Sequence, residues 1–488
     1  MNEHDRTGQR SREINRKSTT RTPFLGTAER LEIRDLLAVL GPWTTLDAMP
    51  PRRDDRTAYI QPSAALPLTI DQGMLTELLR NAPMEFTAAA AAPLEFHLPM
   101  PDGSFDRFAV LEAPIMEPGL AAKFPDMKTY RGQGIDDPAA TIRFDVTPLG
   151  FHAQVLSPEG AVYVDPYYHL DTSLYISYHK RDLTRTQAWQ EFEDHEDHGD
   201  EVQKTTTAIA APVDFVGPRS SNESIGSDAR FVGAGGEGPV LLKSGTQLRT
   251  YRTAVAATGE YTAFFGGTVA QGQAAIVVAM NRINQVYENE LSIRMTLVAN
   301  NNLLVYTNAA TDPYTNSNGT AMLSQNQTNV DAVIGNANYD IGHVFSTGGG
   351  GIAALSSVGV NSQKAYGVTG QFSPVGDPFY IDYVAHEMGH QYGGTHTFNT
   401  PNAGSNRTAS TAYEPGSGST IQAYAGITGA DDLQSNSDPY FHFISLEQII
   451  NHVDVVIPSV GTRTATGNVV PTISAGLSSY VIPTGTPF

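Results

Sequence analysis

The chain has 488 residues, 51 acidic against 31 basic for a formal net charge of -20, and no cysteine. That length leaves room for about two to three domains, each with its own core. The acidic balance does not suit nucleic acid or an anionic membrane, no run approaches a membrane span, and the missing cysteines exclude disulfide scaffolds, thiol enzymes and thiolate metal sites.

In chain order, Met1 to Thr22 carries Arg6, Arg10, Arg12, Arg16, Lys17 and Arg21, with no apolar core and no small-residue cleavage site after it. Residues 1–60 read as a flexible basic lead with one short helix around Ala28 to Leu40. Residues 61–185 change to short alternating runs, TIRFDVTPLGFHAQVLS among them, with Asp102-Gly103 and Pro158-Glu159-Gly160 as hairpin punctuation. The spacing of His152, His169 and His179 follows no ligand pattern. Residues 186–243 read as a linker: the run Glu191 to Glu201 is a solvated acidic tract, with metal binding as its rival, and small residues follow. Arg219, Arg230 and Lys243 are candidate cleavage points.

From 244 to 465 the pattern is strand (Gln247 to Tyr261), helix (Val269 to Glu290), strand (Ile293 to Val298), helix (Gln325 to Ile334) and strand (Tyr339 to Phe345). This predicts an α/β layer with right-handed crossovers. The glycine run after Thr347 has two readings, a flexible loop or the lead into an edge strand. Asp377 and Pro378 read as N-cap and first residue of a helix, and Ser445 with Gln448 reads as a capping box before a C-terminal helix, with His442 structural. Residues 466–488 read as a linker and the first strand of an incomplete Ig-like module, which suggests a fragment of a longer protein.

The chemistry is concentrated in Val384 to Asn399, VAHEMGHQYGGTHTFN. His386, Glu387, His390, Gly393 and His396 fill every fixed position of H-E-x-x-H-x-x-G-x-x-H. His386 and His390 lie one helical turn apart on one face, where two imidazoles can hold one metal ion. The chain must then turn back for His396 to reach the same ion, and Gly393 suits the left-handed residue this requires. Three imidazoles and one open position describe a catalytic zinc site.

This stretch, with AYEPGSGSTI and NSDPYFH, resembles the metzincin zinc endopeptidases, and Leu248 to Val456 most resembles their reprolysin-like (adamalysin-type) branch from bacterial secreted proteins. The resemblance implies an α/β (α+β) metzincin-like catalytic domain with a twisted mixed sheet and a zinc helix, preceded by a mostly β pro-domain. It implies one Zn2+, protein or peptide substrates, synthesis as a precursor and export, although this chain shows no signal peptide. Nothing specifically supports a Ca2+ site. A cysteine-based latch is excluded, so latency must work differently. Ile352, Ala353, Ala354 and Leu355 become the edge strand that takes an extended substrate by strand addition. Glu387 becomes the general base that takes the water's proton and passes it to the leaving amine.

Two positions depart from or extend the pattern. The turn beneath the metal, where the family places methionine, has Gln422, whose amide must find partners or weaken the site. Tyr424 matches a tyrosine that some metzincins carry near zinc, for contact with the metal or the oxyanion, with an ordinary packed tyrosine as the other reading. The rivals to a peptidase are a catalytically impaired metzincin-fold surface or binding protein, and a metallohydrolase of other substrates.

Overall fold

The computed structural model describes residues 41–51, 55–58, 60–183 and 245–469. The helix expected around 28–40, the acidic run 191–201, the cleavage points Arg219, Arg230 and Lys243, and the strand expected after 469 lie outside the described residues.

The N-terminal part is a nine-stranded antiparallel sheet of β1 (Trp43–Thr45), β2 (Leu66–Ile70), β3 (Leu94–Pro99), β4 (Phe105–Glu112), β5 (Lys128–Gly134), β6 (Thr141–Thr147), β7 (Gly150–Ser157), β8 (Gly160–Tyr168) and β9 (Asp171–His179), in the order β1-β2-β9-β8-β7-β6-β5-β4-β3. Strand alternation sends Ile142, Phe144, Phe151, Ala153 and Val155 to one face, where they join Trp43, Phe96 and Phe108 in a core. The opposite face carries Arg143, Asp145, His152 and Gln154, and all four are buried. A buried polar face needs a polar partner.

That partner is a long helix in the C-terminal part. This part is built from β10 (Gln247–Ala257), α1 (Val269–Leu291), β11 (Ile293–Leu297), α2 (Gly319–Val333), β12 (Ile341–Ser346), β13 (Gly350–Ala353) and β14 (Gly367–Gly370). The main path of the sheet runs β11-β10-β12-β14-β13, and along that path every pairing is parallel except that of the edge strand β13. Thr268 caps α1 by accepting from Gln271 N at 3.2 Å, and Ser292 ends it in the left-handed conformation. One side of α1 joins the core on β10 and β11; the other presents Asn281, Arg282, Gln285 and Glu288 to β6, β7 and β8.

Further along, α3 (His386–Gln391) is followed by β15 (Phe398–Asn399), β16 (Glu414–Pro415), α4 (Phe443–Asn451) and β17 (Thr462–Ala465), which pairs antiparallel with β10. Two expected caps are corrected. Gly376, with φ 69°, is the N-cap, and Asp377 is the first helical residue, its carboxylate accepting from Tyr163 Oη at 2.5 Å and pairing with Lys180 Nζ at 2.9 Å. A fully buried carboxylate between a hydroxyl and an ammonium has a stronger use than capping. α4 starts two residues before Ser445: His442 is its N-cap, accepting from Ile444 N at 3.2 Å, and Gln448 turns instead to Thr395.

Candidate metal centre

The segment leading into the histidines is helical throughout but not uniform. Asp377–Phe379 is α-helical, Tyr380–Ala385 forms a wider π-type turn, and α3 follows. Phe379, Ile381, Val384, Ala385 and Met388 sit in the main core, which fixes the helix's rotation and turns His386 and His390 to the opposite side. Gly393 ends the helix with φ +104°, and His396 comes back to the same point.

The three imidazoles converge. His386 Nε2 lies 3.0 Å from His390 Nε2 and 3.2 Å from His396 Nε2, and the last two are 3.1 Å apart. Each Nδ1 faces a carbonyl oxygen at 2.6 Å: Ile421 O for His386, Gly394 O for His390 and Asn406 O for His396. A carbonyl oxygen can only accept, so each Nδ1 carries the proton and each Nε2 presents a lone pair. Three lone pairs pointing at one another in a buried site repel unless a cation lies between them.

Glu387, on the same helix, is buried, and its Oε2 has no hydrogen-bond partner. Burial pushes its carboxyl well above the usual range. The carboxylate lies against the backbone of β13: a Cβ at Gly351 would come within 2.2 Å of Glu387 Oε1. The glycine run is thus in part room for this side chain. The strand covers Gly350–Ala353, so Ile352 and Ala353 lie in it, with Ile352 buried in a side core, while Ala354 and Leu355 follow it. Ala354 N still donates to Tyr366 O at 2.9 Å, and Leu355 is exposed.

Gln422 is fully buried beneath His390, its Nε2 3.1 Å from His390 Nδ1 and donating to Gly394 O at 3.3 Å. Its Oε1 has no partner. The Tyr424 ring stacks on Phe398 at 4.3 Å and meets the His396 ring edge-on at 4.8 Å. Glu414 ties this turn to the histidine strand: it accepts from Ser419 N at 2.9 Å, Thr420 N at 3.1 Å, and Thr420 Oγ1 and Thr397 Oγ1 at 2.5 Å each. Beneath α3, His343 Nδ1 donates to Gln391 Oε1 at 2.9 Å and its Nε2 accepts from Thr369 Oγ1 at 2.8 Å.

Residues 247–452 match the family model of the M12B reprolysin-like metallopeptidases. This region is a reprolysin-like metzincin. Among solved structures, metalloproteinase-II from Bacteroides fragilis aligns at 9% identity over 78% of this chain and 95% of its own, with a TM-score of 0.40. A chaperone-substrate complex aligns at 14% identity over 42% and 34%, with a TM-score of 0.25. No curated protein matches the chain.

Reprolysin-like peptidases are zinc enzymes, and the donor set of this metzincin region fits one zinc ion. Nitrogens each about 2.0–2.1 Å from one tetrahedral ion stand about 3.3 Å apart, close to the spacing of the three Nε2 atoms. Among the described residues these three histidines are the group that could hold a metal. Family match and donor set together make residues 247–452 a zinc-dependent metallopeptidase region, and no helix among the described residues is long and apolar enough to cross a membrane.

Sequence spacing singled out the histidines and Glu387, and the resemblance added Gln422 and Tyr424, but neither pointed to the other walls of the site. A cavity of about 30 Å³ beside His386 and Glu387 is walled by Gly351, Asp382, Tyr383, Ala423 and Ser437, among others. Asp382 lies one turn before His386 and could have been suspected from that spacing. Ser437 carries no such signal. A larger cleft of about 850 Å³, between β7–β9 and the 434–440 loop, is lined by none of the three converging histidines and not by Glu387, so the chemistry belongs to the smaller one.

Proposed function

We propose that the chain is an endopeptidase in which His386, His390 and His396 hold the zinc and Glu387 is the general base. The observation that carries this reading is the juxtaposition of three Nε2 lone pairs with a buried carboxylate that has an unpartnered oxygen. Zinc in such a site supplies Lewis acidity, which polarises a carbonyl and lets water ionise near neutral pH. Glu387 accepts the proton of the attacking water on a carboxylate oxygen and delivers it to the departing amine. Burial serves this role by raising the carboxylate's proton affinity. Tyr424, edge-on to His396, is a further donor toward the developing oxyanion, and the outer edge of β13, extended through Ala354 and Leu355, receives the peptide in register.

In this reading the protein is an exported precursor. Residues 61–185 stand in the place of a pro-domain, 186–243 hold the activation site, 244–465 form the catalytic domain and 466–488 lead into a further module. The second reading, an impaired binding protein on the same fold, is favoured by one observation only, the unpartnered Oε1 of Gln422 beneath His390. Elemental analysis of purified protein with a chelator-controlled casein assay separates the two. One zinc per chain with chelator-sensitive cleavage supports the peptidase; a folded chain that retains no zinc defeats it.

A further inference from the structure

A pro-domain built to leave meets its enzyme through a surface that both partners can return to water. The surface between these two parts is of another kind. Ile115, Met116, Leu120 and Met127 of the N-terminal part are buried within the same core as Tyr251, Ile283 and Phe345 of the peptidase. The backbone is shared as well: Leu297 N donates to Ile115 O at 2.7 Å and Glu117 N donates to Leu297 O at 2.9 Å, so residues 115–117 cover the free edge of β11. Release would expose apolar core and an unpaired strand edge together.

The contact reaches the active site through one side chain. Lys180, just after β9, is nearly buried, pairs with Asp377 Oδ2 at 2.9 Å and donates to Ser437 O. Ser437 N in turn donates to Asp382 Oδ1 at 2.9 Å, and both Ser437 and Asp382 wall the cavity beside His386 and Glu387. Asp377 opens the helical segment that leads into α3. An ammonium of the N-terminal sheet therefore holds both the start of the histidine-bearing segment and the loop across the cavity from it.

Resting on the peptidase reading, we propose that the nine-stranded sheet is a working part of the enzyme, kept after any cut between residues 184 and 244, and that Lys180 is its positioning residue for the cavity wall. Two measurements test this. Full-length protein is nicked by limited trypsin digestion at the basic residues between 184 and 244 and passed through a sizing column in about 1 M salt, where exposed ion pairs are screened. Co-elution of the halves with undiminished peptide cleavage is expected. Separation, with the C-terminal half active alone, overturns retention.

The second measurement is the kinetics of the double variant Lys180→Met/Asp377→Asn. It removes both members of the Lys180–Asp377 pair together, so neither is left buried opposite a missing partner, while the tie to Ser437 and the ammonium's attraction to Asp382 are lost. A rise of about tenfold in KM, with kcat and zinc content unchanged, is expected for a group that shapes substrate binding. A wild-type KM overturns the positioning role. A wild-type chain inactive both cut and uncut defeats the peptidase reading and the working role with it, while co-elution still reads retention separately.

Discussion

Two buried polar regions of the molecule treat charge in opposite ways. In the seam between the N-terminal sheet and α1, charges are paired: Glu288 meets Arg143 and Arg294, Arg294 also meets Glu85, and Arg282 meets Asp165. At the histidine cluster, Glu387 Oε2 and Gln422 Oε1 are buried without partners, and three imidazole lone pairs face one another. Paired charge marks a contact that is complete. Unpaired polar atoms mark a place left for an ion and a substrate. The Arg282 guanidinium shows that pairing need not mean full satisfaction, since its Nε and Nη1 lack acceptors and it lies over the rings of Tyr163 and Tyr380.

The largest effect should come from the unpaired side. Glu387→Gln keeps the shape and removes the base, so kcat should fall by about 10³- to 10⁴-fold. Zinc content should be unchanged, because Glu387 is not among the converging nitrogens. Steady-state kinetics beside elemental analysis checks both; a variant that keeps its rate would remove Glu387 from the mechanism.

On the paired side, Arg282→Met leaves Asp165 buried with only the Tyr178 hydroxyl to satisfy it. Breaking a buried pair in this way costs about 3–5 kcal/mol. Denaturant titration should show that loss, and the double variant Arg282→Met/Asp165→Leu should recover most of it. A single variant as stable as the wild type would mean that the seam is not held by its charges.

The two regions should also separate on a pH axis. His343, beneath α3, is pushed down to about 4 by burial, partly opposed by its bond to Gln391. The unfolded chain takes up that proton near 6.5 and the folded chain only near 4. Between those values the unfolded state binds more protons, so stability falls as pH drops through the window, by about 3 kcal/mol in all. In the seam, burial opposes ionisation of Glu288, but Arg143 and Arg294 outweigh it and hold the carboxyl at about 2. Its contribution is complete above its unfolded value and is lost as pH falls from about 4.5 toward 2. His343→Gln should flatten the upper window and Glu288→Gln the lower one, read from unfolding curves at successive pH values.

This contrast also explains what the sequence could convey. Ligand spacing along one helix is local, so His386, Glu387, His390, Gly393 and His396 were legible at once, as were the alternating strands and the order of strand and helix in the peptidase. Partners far apart in the chain were not. The period of α1 shows that Asn281, Arg282, Gln285 and Glu288 share a side, but not that residues 117 to 145 positions earlier bury it. Asp377 failed as a cap for the same reason: Tyr163 lies 214 positions away. The room that Gly351 leaves was not legible either, because the side chain that fills it is on another element.

The smallest expected effect concerns Gln422, which stands where the family places methionine. If the site tolerates the amide only because Nε2 finds Gly394 O, the unpartnered Oε1 is a standing cost in a fully buried position. Gln422→Met replaces it with an apolar, flexible chain of similar length, which should raise stability by about 1 kcal/mol, or roughly 2–4 °C in Tm. Zinc affinity, measured by competition with a chromogenic chelator, should stay within about tenfold, because His390 keeps its bond from Nδ1 to Gly394 O. A larger loss of zinc would show instead that the Gln422 amide, which donates to the same Gly394 O that accepts from His390 Nδ1, helps to hold that carbonyl in place for the ring. The cluster would then have a supporting partner of the kind found in the seam, and the line between the two regions would run through this one side chain.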